Sequence, residues 1–305
     1  MKILVSGSRG FIGSELVKKL QAQGHQISRL VRKNSVQRTD DFIWSPSESY
    51  VDKAAFNDCD AVVHLAAENI AGRWTRKKMR RIRQSRVEGA KVICDAIMSL
   101  QNRPKVYVSA SGIGYYGDRG GDILAEDQPC GTDFLAQVSR DRETVSDSLK
   151  NCGIRVVNVR FGMVMGSGGP LSRMLGAFQV GMGPVFGSGQ QYWSWVTRTD
   201  AVRAIIHAIN TDSVSGPVNV STPNPVTNTQ FAKTLAKVLG KPQFLKIPEP
   251  VARIMLGKLA DVLLMCSIRA EPRALLDSGF VFDYPELNQA LTAILKQKNE
   301  APAER

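Results

Sequence analysis

Val5-Ser6-Gly7-Ser8-Arg9-Gly10-Phe11-Ile12-Gly13 stands between a short apolar run at 2–6 and an amphipathic stretch at 11–23 that carries Leu16, Val17 and Leu20 on one stripe. Three glycines at this spacing, after a strand and at the start of a helix, make a phosphate-binding turn. Gly7 permits the tight turn, Gly10 lets backbone approach a diphosphate, and Gly13 lets the helix pack on the strand. The N–H groups of the first helical turn then face the negative charge. A glycine-rich turn without a ligand is the alternative; the strand before it and the helix after it favour a bound dinucleotide. Gly7, Arg9, Gly10, Phe11, Ile12 and Gly13 are the first candidate cofactor residues.

The end of the second strand selects the dinucleotide. An acidic residue there binds a ribose 2′-hydroxyl. This chain has Arg29-Leu30-Val31-Arg32-Lys33 instead. Arg32 and Lys33 stand where a 2′-phosphate would lie, and a guanidinium can grip a phosphate bidentately. The expected cofactor is NADP(H), with Arg9 also in reach of the adenosine phosphate. Solvated loop charges are the other reading of Arg32 and Lys33.

Outward from the loop, strand-like runs at 2–6, 26–31, 61–65, 106–109 and 155–160 alternate with helical stretches at 11–23, 76–100 and 132–150. That alternation predicts an α/β chain: a Rossmann doubly wound parallel sheet covered on both faces. Glycine and proline are dense from 162 to 189, which reads as a loop-rich stretch. Helices are expected near 200–210, 228–239 and 250–265, and a strand at 218–220. The expected division is an NADP(H)-binding Rossmann domain, 1–162, and a smaller, mostly helical C-terminal part, 163–305, of which about 195–235 returns to the sheet.

The chain has 305 residues, with 40 Lys and Arg against 28 Asp and Glu, and 43% hydrophobic residues, which excludes disorder over most of its length. Five scattered cysteines without a Cys-x-x-Cys pair, and three distant histidines, predict no metal site and reduced thiols. Neither a signal-peptide core nor an 18-residue apolar run is present, so the expectation is a cytoplasmic protein without a membrane span. Eight of the cations lie at Arg73, Arg76, Lys77, Lys78, Arg80, Arg81, Arg83 and Arg86, leaving 32 basic against 28 acidic residues elsewhere. The charge is thus one helix flank rather than a global trait. Nucleic acid would call for stacking aromatics beside it, and Trp74 alone supplies one, so nucleic acid is disfavoured as a partner. Arg73 and Arg86 turned toward the cleft would instead suit an anionic substrate; a solvated face is the plain alternative.

Several motifs resemble the extended short-chain dehydrogenase/reductases. They are the glycine loop, Asp60-Ala61-Val62-Val63-His64-Leu65-Ala66-Ala67, Val108-Ser109-Ala110-Ser111 leading to Tyr115-Tyr116-Gly117, Trp195-Val196-Thr197-Arg198-Thr199-Asp200 and Gly216-Pro217-Val218-Asn219-Val220. Gly72-Arg73-Trp74, Ser85-Arg86-Val87, Asp133-Phe134-Leu135-Ala136, Trp193-Ser194-Trp195, Pro223-Asn224-Pro225-Val226-Thr227 and the segment from Gly279 to Pro285 resemble an atypical branch, the nucleoside-diphosphate-sugar epimerase-like proteins. The resemblance implies a Rossmann fold, NADP(H), cofactor contacts at Leu65, Ala66 and Ala67, and a substrate cleft between the two parts.

The resemblance breaks at the chemistry. Extended members use a Tyr-x-x-x-Lys pair, in which the lysine lowers the tyrosine pKa and grips the nicotinamide ribose. Here Phe134 and Val138 take those places, or Leu135 and Ser139 after a one-residue shift, and Arg86 takes the place of an asparagine. Ser111 survives. Tyr115 and Tyr116, on the loop beyond it, are candidate replacement acids, with Arg86 as the cation that lowers a phenol pKa. The candidate catalytic set is therefore Ser111, Tyr115, Tyr116 and Arg86. The plain alternatives are a packed loop for the tyrosines and a strand-ending hydroxyl for Ser111. His64 reads as a packing residue, and Trp193 and Trp195 as core or cleft lining. The expected function is an epimerase-like or reductase-like oxidoreductase acting on an unknown small molecule; an inactive NADP(H)-binding sensor or scaffold is the alternative. The region 248–284 is a candidate for association, with the apolar 251–265 helix expected to be buried against the sheet or a partner, and a homodimer is a candidate assembly.

Overall fold

Alternate residues of β1 (Lys2–Ser6) enter opposite cores: Ile3 and Val5 face one side of a sheet and Leu4 the other, all fully buried. The same alternation runs through β2 (Gln26–Val31), β5 (Ala61–His64) and β6 (Val106–Gly112), because a strand's side chains point to opposite faces in turn. The computed structural model describes residues 1–257 and 259–300. Its eight-stranded sheet also contains β3 (Asp41–Ser45), β4 (Tyr50–Val51), β7 (Arg155–Phe161) and β8 (Gly216–Val220), in the order β8-β7-β6-β5-β1-β2-β3-β4. Every pair is parallel except β3 with β4. Strand order reverses at β1, which opens a crevice at the carboxyl ends of β1 and β5.

Helix α1 (Gly13–Ala22) covers one face with Leu16, Val17 and Leu20, beside α5 (Arg198–Asn210) with Val202, Ile205 and Ile209. Burying each such leucine contributes about 1.5–3 kcal/mol. On the other face α2 (Arg76–Met98) places Ile93 and Ile97 against Leu4, Val62 and Tyr107, with α3 (Phe134–Asp147) at its side. The remaining core joins α4 (Gly169–Gln179), α6 (Asn228–Val238) and α9 (Leu287–Glu300) around Leu175, Phe178, Trp195, Phe231 and Leu291.

Two expectations are corrected, and β3 and β4, on the edge side of the sheet, lie in a stretch for which the sequence offered no element. The stretch 162–189 is not all loop, because Gly168 and Gly169 turn the chain with positive φ and Pro170 then sits in the first turn of α4, where it needs no N–H partner. The helix expected at 250–265 is broken at Gly257 (φ +59°) into α7 (Glu249–Leu256) and a π-helical turn, Ala260–Met265. Ala252 of α7 is buried, while Ile254 and Met255 are 85% and 65% exposed among the described residues. A further short helix, α8 (Arg273–Asp277), packs Leu275 under the sheet. Residues 301–305, at the end of the polar tail, lie outside the described residues.

Candidate functional site

The glycine loop bridges β1 and α1 at the crevice. Gly7 has φ +71°, and a Cβ there would lie 2.8 Å from the Ala66 backbone nitrogen, so only glycine lets the loop sit on the segment that follows β5. A Cβ on Gly13 would run into the Gly7 carbonyl oxygen, which fixes how closely α1 starts against the turn. The Gly10 N–H donates to Gly7 O at 2.9 Å. Ile12 is the residue that precedes α1, and the Phe11 ring lies under Gly166, Gly168 and Gly169 with the Arg198 guanidinium 5.1 Å from its centre. Leu65 and Ala66 are half-buried and Ala67 is exposed. The loop fits a dinucleotide diphosphate: it leaves the Ser8 hydroxyl buried without a partner among the described residues.

Beyond β2, Arg32 and Lys33 are exposed. Two more residues complete this end, and the sequence reading passed over both. Asp41, with a side chain closed to solvent, pairs with Arg9 Nη2 at 2.8 Å. Arg38 lies close by: burial first, then the Arg38 and Arg9 charges, push the Arg29 guanidinium below its ordinary value, against the pull of Asp41. Arg29 itself pairs with Asp40. The cations at this end suit an additional phosphate group.

At the carboxyl ends of β6 and β7 a second cluster forms. Ser111 and Arg160 are register partners on these strands. Ser111 Oγ donates to Glu143 Oε1 at 2.6 Å. Arg160 holds the same carboxylate with Nε at 3.0 Å and Nη2 at 2.7 Å, a bidentate pair. Burial opposes the Arg160 charge, but Glu143 outweighs it and holds that guanidinium above its ordinary value. The Tyr115 ring stacks on Arg160, its centre 3.5 Å from Cζ. Burial raises the Tyr115 phenol pKa, against the Arg160 charge.

Tyr116 goes elsewhere. It is fully buried, accepts from Arg160 Nη1 at 2.9 Å and donates to Asn219 Oδ1 at 2.7 Å. Burial pushes its phenol up to about 12. Arg86 does not meet either tyrosine: its Nη1 donates to Glu68 O at 3.0 Å and Ile82 O at 3.4 Å. Burial first, then Arg142, push its guanidinium down to about 10. Of the four candidates the structure brings Ser111 and Tyr115 together, seals Tyr116 behind them and turns Arg86 toward the loop after β5. The expected phenol-lowering contact from Arg86 is thus replaced by Arg160, and the phenol moves up rather than down. Glu143 and Arg160 escaped the sequence reading because their partners lie on other elements; the signal available was a Glu on α3 and a buried Arg on a strand that also carries Arg155 and Asn158.

The residues that the resemblance puts in the places of the usual dyad are packed. Phe134 meets Trp74 edge-on at 5.6 Å, and Val138 and Leu135 are buried. His64 is fully buried, with Nδ1 2.6 Å from Ser6 Oγ. Trp193 and Trp195 are core residues. On α2, Lys78 and Arg81 pair with Glu68, and Arg83 pairs with Asp141, while Arg73 is exposed. All five cysteines are free, and among the described residues no group of three His, Cys, Asp or Glu could hold a metal. No helix among them is long and apolar enough to cross a membrane.

A parallel sheet with its order reversing at a glycine loop and a polar cluster at the ends of β6 and β7 defines an extended Rossmann enzyme scaffold. The chain belongs to the NAD-dependent epimerase/dehydratase family, whose model matches residues 3–221; a domain of unknown function (DUF1731) matches 247–294. It is 37% identical over 291 residues to the epimerase family protein Mb2239 of Mycobacterium bovis, covering 95% of this chain and 96% of that one. The crystal structure of human epimerase family protein SDR39U1 with NADPH is similar at TM-score 0.87 and 31% identity, covering 97% of this chain and 99% of that one. A nucleoside-diphosphate sugar epimerase from Corynebacterium glutamicum matches at TM-score 0.79 and 29% identity, covering 98% of this chain and 61% of that one.

Proposed function

We propose that the chain is an NADP(H)-dependent oxidoreductase or epimerase that reacts a small molecule with Ser111 and Tyr115 in place of a Tyr-x-x-x-Lys pair. The observation that carries the reading is the Tyr115 phenol stacked on Arg160 beside Ser111, at the carboxyl end of the sheet that also presents the glycine loop. Gly7, Gly10 and Gly13 with the backbone of Leu65, Ala66 and Ala67 would hold the diphosphate and nicotinamide side, and Arg9, Arg32 and Lys33 the adenosine phosphate. NADPH in the related human structure supports this cofactor. When bound, NADP(H) gives or takes the hydride. Tyr115, a phenol already protonated at neutral pH and held more firmly so by burial, supplies a proton to a carbonyl oxygen as it gains negative charge. Arg160 then faces the phenolate left behind. Ser111, with its proton committed to Glu143, offers lone pairs to a substrate hydroxyl or N–H.

The test is NADPH oxidation across a library of small carbonyl compounds. Tyr115→Phe and Ser111→Ala should each lower kcat/KM by about 10²–10⁴-fold, the range of general acid–base catalysis, with the NADPH Kd within twofold. Loss confined to Tyr116→Phe, or a wild-type chain that neither oxidises NADPH with any carbonyl compound nor, loaded with NADP+, epimerises any sugar nucleotide, overturns the assignment. The latter outcome favours a binding protein without turnover, a reading supported by the packed Phe134 and Val138.

A further inference from the structure

We infer that Asp41 is a positioning residue for cofactor choice: it sets Arg9 and Arg38 around the 2′-phosphate of NADP(H). The inference rests on the NADP(H) reading above. Asp41 opens β3 and is the register partner of Arg29 on β2. Its side chain is closed to solvent, and a buried carboxylate persists only with partners. Three donors converge on Oδ2: Arg9 Nη2 at 2.8 Å, the Gln37 N–H at 2.9 Å and the Arg38 N–H at 3.2 Å. The Asp41 N–H returns to Arg38 O at 3.2 Å, which closes the turn. One carboxylate therefore fixes both the glycine-loop arginine and the backbone that carries Arg38.

The charges around it call for an anion. The Arg9 guanidinium pairs with Asp41 and the Arg29 guanidinium with Asp40, so the nearby Arg38 leaves one positive charge in excess before Arg32 and Lys33 are added. Arg29 Nη2 is buried and unpartnered among the described residues, as is Asp41 Oδ1. A phosphate monoester brings about −1.5 to −2 charges and acceptor oxygens, which match the exposed Arg38 and the partly exposed Arg9. Asp41 does not substitute for the ribose-binding acid of NAD-selective folds: that acid ends β2, whereas Asp41 starts β3 under the cover of Arg9.

The intact chain is titrated with NADPH and with NADH, following nicotinamide fluorescence, so that no substrate is needed. Wild type should bind NADPH more tightly than NADH. Asp41→Asn should raise the NADPH Kd about tenfold and leave the NADH Kd within twofold. Arg38→Ala, an exposed change that spares the fold, should do the same, and the double variant should lose less than the product of the two, as coupled residues do. An unchanged NADPH to NADH ratio in Arg38→Ala or Asp41→Asn, equal losses for both cofactors, or a shift of Asp41→Asn toward NADPH overturns the inference. Wild type that prefers NADH overturns the NADP(H) reading itself.

Discussion

His64, read from the sequence as a packing residue, is a titratable ring held wholly inside the fold. Its ring is fully buried against the edge of Trp44, and burial first, then Arg142, hold its pKa well below 6.5. The unfolded chain takes up a proton near that value and the folded chain does not, so stability is full above about pH 6.5 and declines as pH falls toward the folded value. Urea melts should show a loss approaching about 1.4 kcal/mol per pH unit below 6.5 that His64→Asn lacks. Parallel pH curves for the two proteins would count against this. At the same scale the glycine loop was legible because each glycine answers a local steric demand. The placement of Ser111 near the end of β6 and of Tyr115 just beyond it was legible from the strand-like run that precedes them. Asp41, Glu143 and Arg160 were not, because what marks them is a partner 32, 32 and 17 residues away in sequence, respectively Arg9, Ser111 and Glu143.

Helix α2 carries a tension of its own. Arg76, Lys77 and Lys78 fill its first turn without an acid, so they face the positive end of the helix dipole. Thr75 caps the same turn by accepting from the Lys78 N–H at 3.2 Å. Lys77 is exposed, and Lys77→Glu should raise unfolding free energy by about 0.3–1 kcal/mol at low ionic strength, with the gain shrinking in 1 M salt. A loss of stability, or a gain indifferent to salt, would refute the account. Elements with a clear period were legible throughout: α1, α2 and the buried strands match their expected spans to within a few residues. The elements missed were those whose signal is a contact. Helix α4 begins at glycines that read as loop, and β3 and β4 hold their places by pairing at the sheet edge.

For the molecule as a whole, a boundary at 162 cuts through one sheet. Strand β8 pairs with β7 from Gly216↔Val157 to Val220↔Phe161, and α5 covers the same face. A fragment ending at residue 162 would leave β7 as an open edge beside uncovered valines, a template for aggregation. It should lack a cooperative thermal transition by circular dichroism; a soluble fragment that melts cooperatively would show that the sheet closes without β8. Asn219 gives this dependence a time axis. Its side chain accepts from Tyr116 and donates to Leu124 O and Glu271 O, so three distant segments meet at one amide. All residues of the glycine loop and its seat on Ala66 are made by about residue 67, whereas the contacts of Asn219 wait for residue 271. At about 5–20 residues per second, synthesis separates the two by roughly 10–40 s. During that interval the segments that meet at Asn219 are not all present, so the order of translation alone makes the cluster behind Tyr115 one of the last the chain can complete.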